Sequence, residues 1–245
     1  MSFKVDFIIP GVQKAGTTSA AYYLDRHSNI YLPQKELHFF NQHYNNGMPW
    51  YEEQFKIPRN FCGLLGERSP RYCVIPEVMD RIKETYPDIK IILCLRDPVT
   101  RLYSQWNMEI DRRLHRSPFL EFINSGPLKP LKLTKYESYP NIKPLDRGFY
   151  AKQVKHIVTL FGRKNLYICI AERFIKNTFL ELNTIFNFLG VERMHKRNFK
   201  RNNKHVRQYK KSIRKQDREL CKEIYRQSTH ELFDFIGYEI EEWDV

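Results

Sequence analysis

The sequence predicts an α/β fold of three layers, with a central, mainly parallel sheet flanked by helices. Three observations predict it. Apolar runs of strand length alternate along the chain with stretches of helical periodicity. One of these runs, "IKIILCL", is almost continuously apolar and rich in isoleucine, as a strand buried on both faces requires. The first run ends in a glycine turn that opens directly onto a helix, "VDFIIPGVQKAGTT".

Taken in order, "VDFIIPG" is the first strand, and "TTSAAYYLDRH" follows as a helix whose threonines suit an N-cap. After a short "NIYLP" segment, "CGLLGE" is a second candidate strand. "PEVMDRIKETYP" opens on proline and spaces Val78, Ile82 and Tyr86 by helical turns. "IKIILCL" is the strongest strand, and "PVTRLYSQWNMEIDRR" a helix with Pro98 in its first turn. Across "NSGPLKPLKLTKYESYPNIKP" periodicity fails and prolines gather, which predicts a long loop of functional use. "RGFYAKQVKHIVTLFG", "NLYICIAE", "FLELNTIFNFLG" and "SIRKQDRELCKEIYRQSTHELFDFIG" then return to helix, strand, helix and helix. No internal repeat or linker interrupts the pattern, so residues 1–245 read as one domain.

Composition narrows the function classes. With 42% hydrophobic and 14% aromatic residues the chain can fill a core, and 10 Gly and 13 Pro give no fibrous or disordered bias. The five cysteines are an odd number with no CxxC spacing; Cys94 and Cys169 sit in strand-like apolar runs and read as core residues. That usage fits a reducing compartment. The apolar part of "MSFKVDFIIPG" is too short for a signal peptide, and no apolar run reaches membrane-spanning length. The expected location is the cytoplasm, without membrane association. The net charge of +13 is uneven: Arg193 to Arg218 hold twelve Lys/Arg and one Asp, a net +11. Such a block is an anion site, a nucleic-acid patch or a solvated face.

Chemistry concentrates in "GVQKAGTT", Gly11 to Thr18. Its glycines and last threonine match a P-loop, whose backbone N–H groups and helix N-terminus cradle phosphate. The lysine is displaced, however: Lys14 stands three positions before the slot that Thr17 fills. A nucleoside triphosphatase needs its lysine in that slot and an acid downstream for Mg²⁺. The strand "IKIILCL" instead ends on Arg96, ahead of Asp97. The loop suits a diphosphate-like group and makes no obvious provision for a metal.

The stretches "KELHFFN", "GERSPRY", "LRDPVTRLYSQW" and "RGFYAKQ...LFGRKNLYICIAERF...FNFLGV" follow in order. The series resembles the sulfotransferases that use 3′-phosphoadenosine 5′-phosphosulfate (PAPS), and among them the heparan sulfate N- and 3-O-sulfotransferase domains. "ELHFFNQHYNNGMPWY" carries the likeness to that branch. The resemblance covers about residues 5 to 190. It implies a P-loop-like fold, sulfuryl transfer, PAPS as donor with the bisphosphate (PAP) as product, and no metal.

The resemblance also implies residue roles. Lys14, Ala15, Gly16, Thr17 and Thr18 would hold the 5′-phosphate, with Lys14 near the bridging oxygen where leaving charge develops. Arg96 and Ser104 would bind the 3′-phosphate, one by a planar guanidinium fork and the other by a hydroxyl. Glu36 would be the general base. His38, on the same face as Glu36 if the segment is extended, could share or replace it, or touch the acceptor. Arg68 stands where the branch carries lysine, which leaves open whether it meets the sulfuryl group or the acceptor. The family's late Lys-Gly-Arg loop has no counterpart; Lys204 and Arg207 are the candidate cations there for the 3′-phosphate. Tyr150 reads as a packing aromatic. The acceptor reads as a small hydroxylated or amino metabolite, or else as a carbohydrate. The rival classes are a Mg²⁺-dependent P-loop kinase, which Thr17 disfavours, and a nucleic-acid module, for which Phe199 and Tyr209 are thin support. Oligomeric state leaves no trace in the sequence.

Overall fold

The computed structural model describes residues 3–124, 142–196, 199–200 and 212–244. The strands are β1 (Phe7–Ile9), β2 (Ile30–Tyr31), β3 (Leu64–Arg68), β4 (Lys90–Leu95) and β5 (Leu166–Ile170). The helices are α1 (Thr17–Leu24), α2 (Gly47–Glu53), α3 (Pro76–Thr85), α4 (Pro98–Asp111), α5 (Phe119–Asn124), α6 (Tyr150–Phe161), α7 (Ala171–Lys176), α8 (Thr178–Leu189) and α9 (Lys215–Ile236). The sheet order is β2-β3-β1-β4-β5, and every pairing is parallel.

This order determines where the helices go. From β1 the chain moves leftward to β2 through α1, whereas from β3 to β4 and from β4 to β5 it moves rightward through α3 and α6. Right-handed crossovers put helices of opposite travel on opposite faces. Accordingly α1 packs with α8, while α6 packs with both α3 and α9. The central β1 is wholly buried, as its three apolar residues demand. Because travel reverses around β1, the carboxyl ends of β1, β3 and β4 open the crevice where such sheets bind ligands.

Local chemistry explains most boundaries. Pro98 starts α4, and Asp97 caps it by accepting Thr100 N–H at 2.7 Å. Helix α3 buries Val78, Met79 and Ile82, one stripe of an amphipathic helix, and Tyr86 closes it. Three helices outrun the sequence reading. Helix α5 is too short to display a period, yet Phe119, Phe122 and Ile123 anchor it to Leu102, Cys221 and Tyr225 in a separate apolar cluster. Helix α2 owes its place to Tyr51, whose ring stacks on Phe39 at 4.3 Å. The fourth strand-like run, "NLYICIAE", also ends sooner than its composition suggests, since Ala171 and Glu172 already belong to α7.

Where β1 meets β3, Phe7 lies opposite Gly66. A Cβ on Gly66 would stand 2.2 Å from the Phe7 ring. The ring is fully buried and has nowhere to move, so Gly66→Ala overpacks the sheet. The expected cost is about 1–3 kcal/mol, measured as a lower urea midpoint with an unchanged m-value.

Candidate active site

The loop after β1 is held from both sides. Val12 N–H donates to Cys94 O at 2.8 Å and Cys94 N–H to Gly11 O at 2.9 Å, so pairing with the β4 side continues past the strand end. On the β3 side, Ser69 N–H reaches Ile9 O and Cys73 N–H reaches Pro10 O, at 3.2 and 3.0 Å. The chain then reverses through two left-handed residues, Lys14 at φ 75° and Gly16 at φ 84°. A lysine there is strained, and the clamped ends of the loop hold it. Gly16, not a threonine, occupies the N-cap of α1, and no side chain caps the helix. Thr17 is the first helical residue and is buried, while Thr18 is exposed. The physical reason is the positive φ, which glycine takes without strain and threonine does not. An uncapped first turn leaves backbone N–H groups and the positive helix end for an anion.

Three arginines approach this loop. Arg96, at the end of β4, donates from Nη1 to Lys14 O at 3.3 Å. Its own carbonyl accepts the Tyr150 hydroxyl at 2.8 Å, so Tyr150 packs and also anchors. Arg68, at the end of β3, donates from Nη1 to Thr18 Oγ1 at 3.3 Å and forms an ion pair with Glu36. Arg147 reaches the side chain of Gln13. Burial, aided by the charges of Arg71 and Arg101, pushes Arg147 down to about 9. Ser104 lies two turns into α4 and is covered, with 2% exposure.

Glu36 and His38 meet, though not as neighbours on an extended face. His38 is left-handed at φ 51° and starts a wide turn, Phe39–His43. The turn itself folds His38 Nε2 back to 3.2 Å from Glu36 Oε2. Burial alone would raise the Glu36 pKa. The hydrogen bond with His38 and the charges of Arg68 and His38 outweigh it and hold the carboxyl below the ordinary glutamate range. His38 Nδ1 is buried without a hydrogen-bond partner among the described residues.

A second carboxylate, missed in the sequence reading, fixes this turn. Glu67 is 0% exposed. It accepts from Ser69 Oγ at 2.6 Å, Tyr72 OH at 2.8 Å and Tyr51 OH at 2.8 Å. Ser69 Oγ and Tyr72 OH in turn accept the backbone N–H groups of His38 and Phe40, at 3.0 and 3.2 Å. Burial raises the Glu67 pKa, and the three hydroxyl bonds oppose it. Only the tyrosines near the Glu-x-x-Phe-Phe stretch and the Glu-Arg-Ser sequence hinted at such a hub.

Lys14, Ala15, Gly16, Thr17, Thr18, Arg68, Arg96, Glu36 and His38 therefore gather at the carboxyl ends of β1, β3 and β4 and the turns that follow. Lys204 and Arg207 lie outside the described residues. No group of three or more His, Cys, Asp or Glu side chains among the described residues is placed to hold a metal. The fit to a phosphate-bearing cofactor is good: an uncapped helix end, a left-handed glycine and cationic side chains supply donors throughout.

A P-loop-like α/β fold with a cationic cradle beside a carboxylate of lowered pKa is suited to handling an anion. The sulfotransferase domain family model matches residues 4–234, and the chain belongs to that family. The match sets aside the kinase alternative. Among similar proteins, human heparan sulfate glucosamine 3-O-sulfotransferase 3B1 is 30% identical over 188 residues, covering 76% of this chain and 46% of the relative. Human bifunctional heparan sulfate N-deacetylase/N-sulfotransferase 3 is 30% identical over 199 residues, 76% of this chain and 22% of the relative. The chain thus spans about half the length, or less, of these curated relatives. In fold it is similar to a sulfotransferase from Alicyclobacillus acidocaldarius, with TM-score 0.78, 24% identity and 99% of both chains covered.

The Glu36 carboxyl has a folded pKa below its unfolded one. The stabilisation it brings is present above the ordinary glutamate range and is lost as pH falls through the folded value. Arg68→Met should raise the Glu36 pKa in a carboxyl ¹³C NMR titration, and should cost more stability at neutral pH than in acid.

Proposed function

We propose that the chain transfers a sulfuryl group from PAPS to a hydroxyl or amine of its acceptor. One observation carries this reading: Arg68 ties the ionised Glu36 to Thr18 of the phosphate cradle, so a base and a leaving-group site share one frame. When bound, the cofactor supplies an activated sulfuryl group on a phosphate leaving group.

The protein's own residues divide the work. The N–H groups of Gly16, Thr17 and Thr18 receive the 5′-phosphate. Lys14, in the apex of the loop, offsets negative charge that grows on the leaving phosphate, which favours the transition state over the ground state. Arg96 and Ser104 receive the 3′-phosphate. Glu36 takes the acceptor's proton; its lowered pKa keeps it ionised, at a cost in basicity. His38, on the other carboxylate oxygen, can share that proton. Arg68 orients Glu36 and stands beside the cradle, where it would meet the sulfuryl group or the acceptor.

The acceptor carries a hydroxyl or an amine. The curated relatives are named for heparan sulfate glucosamine, which favours a carbohydrate. A small metabolite is the second arm of the same assay. All five cysteines are free, in keeping with a reducing compartment such as the cytoplasm. No helix among the described residues is long and apolar enough to cross a membrane.

In metal-free buffer, adenosine 3′,5′-bisphosphate should raise the melting temperature, and ATP with Mg²⁺ should not match it. Glu36→Gln should lower turnover by about 10²–10⁴ while keeping the bisphosphate shift. Lys14→Ala should lower kcat by about 10²–10³. A Glu36→Gln enzyme of parental turnover, read by mass spectrometry of sulfated acceptor, refutes the assigned base.

A further inference from the structure

After α9, three consecutive residues each hold a different partner. Glu242 accepts Arg173 Nε with both oxygens at 2.9 Å, and Asp244 accepts Lys222 Nζ at 2.6 Å. Exposed pairs of this kind add little stability, but they fix the register of the residue between them. That residue, Trp243, is 6% exposed. Its ring packs on Tyr150 and Phe233, with centroids 5.7 and 6.0 Å away. Its indole N–H donates to Glu172 Oε2 at 3.2 Å.

Glu172 is the first-turn acid of α7, directly after β5. Its other oxygen, Oε1, accepts Asp97 N–H at 3.1 Å and faces Arg96 Nε at 4.0 Å. Both carboxylate oxygens are therefore restrained by N–H groups. The Arg96–Glu172 distance is the outer limit of an ion pair, well beyond the 2.7–2.9 Å of a direct charge-assisted bond. Tyr150, on which Trp243 packs, donates to the Arg96 carbonyl. Trp243 thus touches both groups that hold residue 96, one through the side chain and one through the backbone.

We infer that Trp243 is a positioning residue for the 3′-phosphate subsite. Its indole N–H holds Glu172 at a stand-off, so that the carboxylate does not close on Arg96 and the guanidinium stays available to phosphate. The inference rests on assigning Arg96 to the 3′-phosphate. Without the indole donor, Glu172 Oε2 is an unpaired oxygen in a half-buried setting, and the cation that already faces this carboxylate is Arg96. The carboxylate then turns to Arg96 and competes with the phosphate.

Calorimetric titration with adenosine 3′,5′-bisphosphate and with adenosine 5′-phosphate tests this. Trp243→Phe keeps the ring packing and removes the N–H. Bisphosphate affinity should fall about tenfold, the scale of one hydrogen bond to a charged group, while 5′-phosphate affinity stays put. Adding Glu172→Gln to Trp243→Phe removes the competing charge and should restore bisphosphate affinity, which a merely structural role for Trp243 would not do. An unaltered preference for bisphosphate in Trp243→Phe, or no rescue in the double variant, overturns the inference. Should Trp243→Phe not fold, Glu172→Gln alone decides: affinity at or above the parent supports the stand-off, and a loss overturns it. Arg96→Ala separates the two levels. If it still prefers bisphosphate over 5′-phosphate as the parent does, the 3′-phosphate assignment itself is wrong, and the inference falls with it.

Discussion

The Arg68 guanidinium sets the geometry of the whole site. It bonds the Thr18 hydroxyl on the cradle helix and pairs with the Glu36 carboxylate on the segment after β2. Glu36 and Thr18 stand far apart in sequence, and one side chain at the end of β3 brings them into register. Both contacts come from the one nitrogen Nη1, whose two hydrogens lie in the guanidinium plane and point at fixed angles. Arg68 therefore joins two elements here, whatever it also does to the reacting group.

Strand alternation lets β3 act twice on the same turn. Glu67 and Arg68 are successive residues, so they project to opposite sides of the sheet. Arg68 holds Glu36 from the cradle side. Glu67, through Ser69 and Tyr72, holds the N–H groups of His38 and Phe40 from the core side. A fully buried carboxylate is costly to desolvate, and among the described residues no ion pair relieves Glu67. Three hydroxyl donors take the place of a cation, and the outcome is a turn of defined shape that seats His38 against Glu36.

Much of this was legible in the sequence. The β1 loop, the run from Ile89 to Leu95 and the start at Pro98 declared themselves because local chemistry alone dictates them: a glycine turn, nearly continuous apolarity, a fixed proline φ. The gathering of Lys14, Glu36, Arg68 and Arg96 came from resemblance, since no spacing rule brings residues so far apart together. Other features stayed hidden for identifiable reasons. Thr17 looked like a cap because composition does not reveal that Gly16 takes the left-handed position. The His38 turn broke the extended geometry through a positive φ at a histidine, which no propensity anticipates. Glu67, Glu172 and Trp243 act through partners 16 to 75 residues away, or through neighbours whose role is tertiary. Such contacts exist only once the sheet order is fixed.

The most direct measurement of the shared frame is the single-turnover rate of sulfuryl transfer in Arg68→Met at saturating donor, alongside the dissociation constant of adenosine 3′,5′-bisphosphate. If Arg68 holds base and cradle in register, the rate falls about 10²-fold, the cost of misplacing a reacting group by roughly an ångström, while bisphosphate affinity changes little. A parental rate in the folded variant would contradict the account.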